Sequence, residues 1–538
     1  MTQELKARRA VVYMEVIACI IAVLRIFSIS KRLGEYGVSY YVIPYELCCV
    51  LLIAFSYGIC EAVSRMVKTR VERGQYRNAY KVLESAVVVS VIMGLLLVLI
   101  VKLMSGTIAV KWFQVPGIRF ALSAIAPVLL FRFIAGVFKG FMNGYEVNVA
   151  SHAIRIIEEA IIWISTYLLL KYYMGYGTKV GNLIQDDSYQ YIYGAKGAVL
   201  AIIIGSAIYM VLMIVVYFVN RRRYQKLLHK DGTTRDENYG QVCHILFVYA
   251  VPMIVISLLM LIHHFLIQQH YIFNNGGAIV ALNNFGYYYT GFRCIIIIPI
   301  LFFAFGSKNI QHEMRILLND QDAKSIREYA SDKLRNVLLF SIPLMVIFAV
   351  LSENLLQLFL GKVTPITSYM LFPGSILIVL YSVVFVFTAL LYQLKKKGHL
   401  ILILLLANIV YFATIAACIR VFKLGLEMLV FSEIAFAAVI ILAELFILKR
   451  KIRYKQELVY SIFIPYIASF ISGIVIFVVN VLLIKVLGAF ITLILCCAIG
   501  YFIYLFVLGA LKGLDEHEIS SYPLGQAVVM LLDKFRLI

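Results

Sequence analysis

The sequence predicts an all-α polytopic membrane protein of about fourteen transmembrane helices, arranged as two pseudo-symmetric six-helix lobes plus two C-terminal helices. Three observations carry that expectation. Apolar runs long enough to cross hydrocarbon recur from end to end of the 538 residues, of which 62% are hydrophobic and only 14% charged, with mean hydropathy +0.91. A motif of the first half returns in the second: Phe303-Ala-Phe-Gly306 echoes Phe55-Ser-Tyr-Gly58, and Ser325-Ile-Arg-Glu-Tyr329 echoes Arg77-Asn-Ala-Tyr80. Finally, the basic residues cluster between alternate runs, all on one side of the membrane.

Taken in order, the predicted spans are 11–30, 38–60, 82–104, 118–141, 149–172, 195–219, 241–269, 286–306, 334–360, 366–393, 399–421, 425–448, 458–484 and 488–511. Backbone amides in hydrocarbon must bond within their own segment, so runs of this length are helices, and the short alternating segments of a membrane barrel are missing. The sequence divides into a lobe at 1–220, an interlobe loop at 221–240, a second lobe at 241–450, and a remainder at 451–538 holding two extra spans and a tail. Each lobe has an even number of spans, so both enter the membrane in the same sense, as parallel repeats do.

With the N-terminus inside, Arg65 to Lys81, Arg221 to Arg235, Lys308 to Arg335, Lys395 to Lys397 and Lys449 to Lys455 all fall in the cytoplasm, and so does the C-terminus. The formal net charge of +20 then follows from loops that hold orientation and meet anionic lipid. Nucleic-acid binding is excluded for want of a soluble module to carry it. Segments 64–81 and 308–335 carry charge at helical spacing with interleaved Val, Ile and Leu, which predicts helices lying along the inner surface. The tail from Tyr522 reads the same way, with Pro523 as a helix start. Lys6, Arg8 and Arg9 ahead of an apolar run read as an uncleaved first span, because no small-residue cleavage pattern follows. All nine cysteines lie in apolar spans without metal-ligand spacing, so no metal or cofactor is expected.

Ionisable residues within hydrocarbon are costly and mark function or pairing. Arg25, His263, His264 and Arg293 share a depth in spans 1, 7 and 8, where they would form a basic patch suited to a phosphate-bearing ligand. Glu46 sits near the depth of Arg25, and the alternative is that the two neutralise each other. Adjacent histidines point about 100° apart on a helix, so only one of the pair can face such a patch. Arg132, Lys139, Arg155, Glu158 and Glu159, with His152 at the boundary, read as the structural pairing of spans 4 and 5. Glu15, Asn408 and Glu433, with Ser432 and Glu444 near the last, are the candidates for coupling to a Na+ or H+ gradient; interhelical hydrogen bonding is the default, and coupling to the membrane potential stays open.

The stretch Arg25-Ile-Phe-Ser-Ile-Ser-Lys-Arg-Leu-Gly34-Glu-Tyr-Gly37-Val-Ser-Tyr-Tyr41, with Ser56-Tyr-Gly58 and Ala62-Val-Ser64-Arg, resembles the opening of the MOP superfamily. The likeness is to its branch of stage V sporulation protein B and MurJ-like flippases for polysaccharides and lipid-linked precursors. Phe138-Lys-Gly140-Phe-Met-Asn-Gly144 and Ala153-Ile-Arg-Ile-Ile-Glu158-Glu look like the same branch's hairpin of spans 4 and 5. The resemblance implies two lobes around an alternating-access cavity, with two further spans where a lipid tail is accommodated. It places Arg25 at the basic position lining that cavity. A glycine usual just after that arginine is replaced here by Phe27 and Ser28, and the basic cluster of span 1 is thinner. Fourteen spans favour this branch over the twelve-span exporters.

The resulting expectation is a monomeric, non-enzymatic flippase for undecaprenyl-pyrophosphate-linked glycans in a bacterial plasma membrane, in contact with membrane lipids and with cell-wall polymerases as further partners. Against it stand a cation-coupled multidrug or organic-solute exporter, an integral membrane acyl- or glycosyltransferase, and a non-transporting partner of a cell-wall polymerase. The transferase would want a carboxylate or histidine in a surface loop, and the outer acidic pair Asp186 and Asp187 stands alone among tyrosines.

Overall fold

Hydrocarbon leaves helix as the way to satisfy the backbone of so apolar a chain, and no strand occurs among the described residues. The computed structural model describes residues 3–145, 149–319, 323–394, 397–514, 516–520 and 525–534. Pro523, Lys395 and Lys396 lie outside the described residues. Contacts divide the chain into two compact units, Met1–Gly286 and Tyr287–Ile538. The helix that opens the second sequence repeat thus packs within the first unit.

The first unit holds α1 (Gln3–Leu51), α2 (Tyr57–Glu72), α3 (Tyr76–Thr107), α4 (Ile118–Ile125), α5 (Pro127–Tyr145), α6 (Val149–Ile184), α7 (Ser188–Leu228), α8 (Tyr239–Asn274) and most of α9 (Ile279–Tyr287). The second holds α10 (Cys294–Asn319), α11 (Ala323–Val350), α12 (Ser352–Leu360), α13 (Pro365–Gly374), α14 (Ile376–Gln393), α15 (Lys397–Arg420), α16 (Glu427–Ile452), α17 (Ile464–Ala510), α18 (Glu516–Ser520) and α19 (Gly525–Lys534). Eleven helices among the described residues are long and apolar enough to cross a membrane. Their outer faces carry large apolar side chains such as Leu99, Leu103, Phe470 and Phe477, each more than half exposed, as lipid contact requires.

Two of the eleven are double. The path Ala7–Glu72 is broken at Gly34 (φ 66°, ψ 174°) and Val459–Ala510 at Gly488 (φ 72°, ψ 170°), backbone angles that essentially only glycine adopts. The break at Gly34 falls between the spans expected at 11–30 and 38–60, and that at Gly488 falls on the first residue of the span expected at 488–511. Wider π-helical turns interrupt the ladder at Leu52–Ser56 and Tyr288–Arg293. Close approach of α5 to α2 rests on small residues at one-turn spacing. A Cβ on Gly136, Gly140 or Gly144 would come within 3.2 Å of the carbonyl oxygens of Ser56, Cys60 and Ser64 respectively. Such ridges let membrane helices meet backbone to backbone without a hydrophobic driving force.

The in-plane surface helices expected at 64–81 and 308–335 are not what forms. α2 continues its span to Glu72, turns through Gly74, and α3 begins at Tyr76. α10 likewise runs unbroken from its span to Asn319. The physical reason is that the apolar side of the first hairpin is core, with Met66, Val67, Ala79 and Val82 buried against Phe141, Met213 and Val242. Its charges are met by the chain that follows α7. Arg70 Nη2 bonds Glu237 Oε2 at 2.5 Å, Lys81 Nζ lies 3.5 Å from Asp236 Oδ2, and Arg77 lies 3.7 Å from Asp231. Asn78 both donates to the Arg235 carbonyl (3.0 Å) and accepts from the Glu237 amide (3.1 Å), and the Gly232 amide reaches the Gly74 carbonyl (3.0 Å). The interlobe segment is therefore a strap fastened across the α2–α3 hairpin.

Partial burial raises the Asp231 carboxyl, but hydrogen bonds from the Thr233 hydroxyl and the Arg77 amide, with the Arg77 guanidinium nearby, outweigh it and hold the group below its ordinary 3.8. A carboxylate held low in the folded state stabilises at neutral pH and stops doing so as pH falls below that ordinary value. Hydrogen exchange of residues 229–238 is expected to speed several-fold as pH drops from neutral to the acid side of 3.8, after correction for intrinsic rates, and Asp231→Asn should reproduce the faster exchange at neutral pH.

Candidate functional site

The buried charges of the first unit gather on three helices. Arg155 donates to Glu158 Oε2 on α6 at 2.6 Å; Arg132 of α5 is paired with Glu158 Oε1 at 2.6 Å and Arg155 with Glu159 Oε1 at 2.7 Å as ions; Arg25 on α1 lies 3.7 Å from Glu159 Oε2. Beside this chain, Glu15 on α1 accepts from Lys139 on α5 at 3.0 Å and contacts His152 Nδ1 on α6 at 2.5 Å. Four permanent cations thus face three carboxylates. The i, i+3 and i, i+4 placement of Arg155, Glu158 and Glu159 is what lets one guanidinium fork engage two carboxylates on its own helix. Tyr209 of α7 lies under Arg132, 4.8 Å from the guanidinium carbon. The pairing expected between spans 4 and 5 is present and extends to span 1.

Arg25 is 1% exposed. Its Nη1 donates to the Tyr41 hydroxyl, and the rings of Tyr41 and Tyr45 flank it at 6.0 and 5.5 Å. Its carboxylate is Glu159, not Glu46 as the shared depth suggested. Glu46 instead accepts a hydrogen bond from the Gln268 amide of α8. The reason is geometric: a helical sequence gives depth but not azimuth, and Glu46 turns to the side of α1 that packs on α8. His263 is fully buried, and its ring lies 4.1 Å from that of His264 at 42°. Arg25, Glu46, His263, His264 and Glu15 belong to the first unit, whereas Arg293, Asn408 and Glu433 belong to the second.

In the second unit Arg293 closes the π-helical turn Tyr288–Arg293 and stands 5.7 Å from the centre of the Tyr289 ring. Glu433 of α16 accepts from the Tyr381 hydroxyl of α14. The Asn408 amide donates to the Leu404 carbonyl one turn back at 2.7 Å. Sequence reasoning passed over Tyr41, Gln268, Tyr381 and Thr388, the neutral partners of these charges. The available signal was simply that polar side chains inside apolar runs need a partner across the helix interface.

A groove of about 180 Å3 in the second unit has walls that are almost wholly apolar. Leu339, Pro343 and Ile347 of α11 form one side, and Ile476, Tyr504 and Leu505 of α17 another. A void lined this way takes hydrocarbon in preference to a polar group.

No protein-family model matches the chain, and no curated protein matches it. Its backbone is similar to solved structures. A lipid II flippase MurJ in an inward closed conformation superposes with TM-score 0.66 at 16% identity, over 93% of this chain and 98% of that one. An inward-facing multidrug resistance MATE family transporter gives 0.63 at 12%, over 82% and 98%, and a MOP superfamily transporter from Pyrococcus furiosus gives 0.62 at 12%, over 85% and 100%. The chain shares the fold of these transporter structures. That fold accounts for the helical units and the glycine-packed hairpins, and the resemblance seen in Arg25–Tyr41 and Phe138–Gly144 pointed to it.

Removing Glu15 from its pair is expected to leave Lys139 without its carboxylate in a mostly enclosed site. Glu15→Gln should lower apparent stability in detergent by about 3 kcal/mol, the lower end for a broken buried pair, read as a fall in thermal unfolding midpoint. A surface control such as Lys324→Gln should leave the midpoint unchanged.

Proposed function

We propose that this protein is an alternating-access flippase that carries lipid-linked, pyrophosphate-bearing glycans outward across a bacterial plasma membrane for cell-wall or polysaccharide synthesis. Both termini lie in the cytoplasm in this reading. The repeats at 1–220 and 241–450 are the rocking lobes, and the spans after residue 451 serve the lipid tail. The observation that carries the reading is the apolar groove between α11, in the second repeat, and α17, which lies beyond the two repeats. A drug exporter has no need of an extra pair of spans that adds one wall to a hydrocarbon-lined groove, whereas a polyprenyl cargo must keep its tail in an apolar place while its headgroup crosses. The shares of this chain covered by the compared structures agree: 93% for the MurJ flippase against 82% for the MATE transporter.

For the headgroup, Arg293 is the residue best placed. A π-helical turn is a local irregularity that often marks a functional site, and a guanidinium there offers a planar fork to phosphate oxygens. Arg25 has a different part: fully enclosed and shared with Glu159 and Tyr41, it holds span 1 to span 5. Glu46, His263 and His264 are proposed to support the α1–α8 seam on which the cavity wall depends.

Binding discriminates this reading from that of a cation exporter. Purified protein should be stabilised against heat by a polyprenyl-pyrophosphate disaccharide, less by the same headgroup on a geranyl-length tail, and not by a lipophilic organic cation. Arg293→Gln should weaken the pyrophosphate ligand about tenfold or more, since a charge-assisted hydrogen bond contributes about 1.5–3 kcal/mol. Stabilisation by the organic cation with indifference to the polyprenyl ligand would overturn the reading.

A further inference from the structure

Seven glutamates are buried among the described residues: Glu15, Glu35, Glu46, Glu158, Glu159, Glu433 and Glu444. Glu15, Glu158 and Glu159 meet cations, Glu46 meets an amide and Glu433 a phenol, as above; the Ser30 hydroxyl is 3.5 Å from Glu35. Glu444 is different. It is 1% exposed on α16, and its Oε1 accepts from the Thr388 hydroxyl of α14 at 2.7 Å. Its Oε2 is enclosed and makes no hydrogen bond, and no Lys, Arg or His nitrogen stands within salt-bridge distance of either oxygen, among the described residues.

The groups on every element packed against this position are accounted for. On α16 itself Lys449, Arg450 and Lys451 are exposed, and Glu433 is engaged by Tyr381. On α14 the next polar group toward the helix end is Tyr392, whose ring lies 5.3 Å from the Lys397 ammonium of α15, and His399 of α15 is exposed. On α11, Lys333 pairs with Glu313 at 2.8 Å and Arg335 with Glu518 at 3.3 Å. Tyr369 of α13 is exposed.

A carboxylate ion enclosed in hydrocarbon with one neutral hydroxyl for company is far costlier than the neutral acid, so the group takes up a proton rather than remain ionised. A hard metal cation is a poor alternative ligand, because such ions collect about six oxygens or more and the site offers one carboxyl and one hydroxyl. We propose that Glu444, positioned by Thr388, is a reversible proton-binding site of the second unit. While α14 and α16 are packed, Oε2 carries the proton and Oε1 keeps the Thr388 hydrogen bond. When water enters the α14–α16 seam, the O–H bond breaks, the proton passes to water as hydronium, and the carboxylate left behind is solvated; reclosing reverses the step. Its use in driving cargo rests on the transporter reading of the previous subsection, but the proton site itself does not.

The test therefore needs no cargo. Infrared difference spectra of the full-length protein in lipid nanodiscs, titrated in pH, report the carbonyl stretch of protonated carboxylic acids apart from that of carboxylates. Wild type is expected to show a protonated-acid band at neutral pH that disappears reversibly as pH is raised. Glu444→Gln, which preserves the shape and the acceptor for Thr388, should lose a titrating component of that band. Thr388→Val should keep the band at a shifted frequency, a signature that a purely structural role for Thr388 would not give. A band whose intensity and titration are unchanged in Glu444→Gln, or a wild-type spectrum with no titrating acid, would overturn the proposal, and either result would leave the glycan-binding test unaffected.

Discussion

A charge surrounded by hydrocarbon must find its counter-charge within the protein, and in the first unit that requirement converges on Glu158. One of its oxygens accepts from Arg155 on its own helix and the other is paired as an ion with Arg132 of α5, and through Arg155 the network passes to Glu159 and on to Arg25 of α1. Spans 1, 4 and 5 are held in register by these contacts more than by apolar packing, because lipid tails are as apolar as leucine and give helices no reason to prefer one another. The same constraint decides which buried ions are structural. Arginine shared among carboxylates and tyrosines is fixed in place, whereas Glu444, with one hydroxyl neighbour, is the acid proposed to exchange a proton.

Close backbone packing works alongside the ions. The glycine ridge at 136, 140 and 144 brings α5 against α2 near enough that any larger residue would push the helices apart, and the breaks at Gly34 and Gly488 set the directions of the long paths they interrupt. The strap from Asp231 to Glu237 then fastens the α2–α3 hairpin with reciprocal hydrogen bonds. The first unit is thus closed at one end by polar contacts and along its length by glycine contacts. The second unit holds the apolar groove and the isolated acid.

Much of the fold was legible in the sequence. Long apolar runs, the charge asymmetry of the loops and the paired motifs at Phe55 and Phe303 are properties of one dimension, and they led to helical spans, while the resemblance of Arg25–Tyr41 and Phe138–Gly144 led to the transporter fold. The glycines at 34 and 488 fell between, or on the first residue of, expected spans because a sharp change of direction needs a backbone conformation that side chains forbid. What the sequence could not carry was azimuth. Arg25 and Glu46 share a depth, yet they face different helices, since a rotation of one residue along α1 turns a side chain by about 100°. The amphipathic reading of 64–81 failed for a related reason: an apolar stripe is the same whether it meets lipid headgroups or the core formed by Phe141 and Val242. Neutral partners such as Tyr41, Gln268 and Thr388 were invisible because nothing in their own segments distinguishes them.

The central claim is that pairing across helices, with Glu158 as the shared counter-charge, determines the architecture of the first unit. A double-mutant cycle of Arg132→Gln and Glu158→Gln, measured as apparent stability in a single detergent, tests it most directly. The account predicts a coupling energy of about 2 kcal/mol, with the double variant more stable than Glu158→Gln alone, because the second change removes a buried cation that the first left without its carboxylate. Losses that simply add, to within about 0.5 kcal/mol, would contradict it.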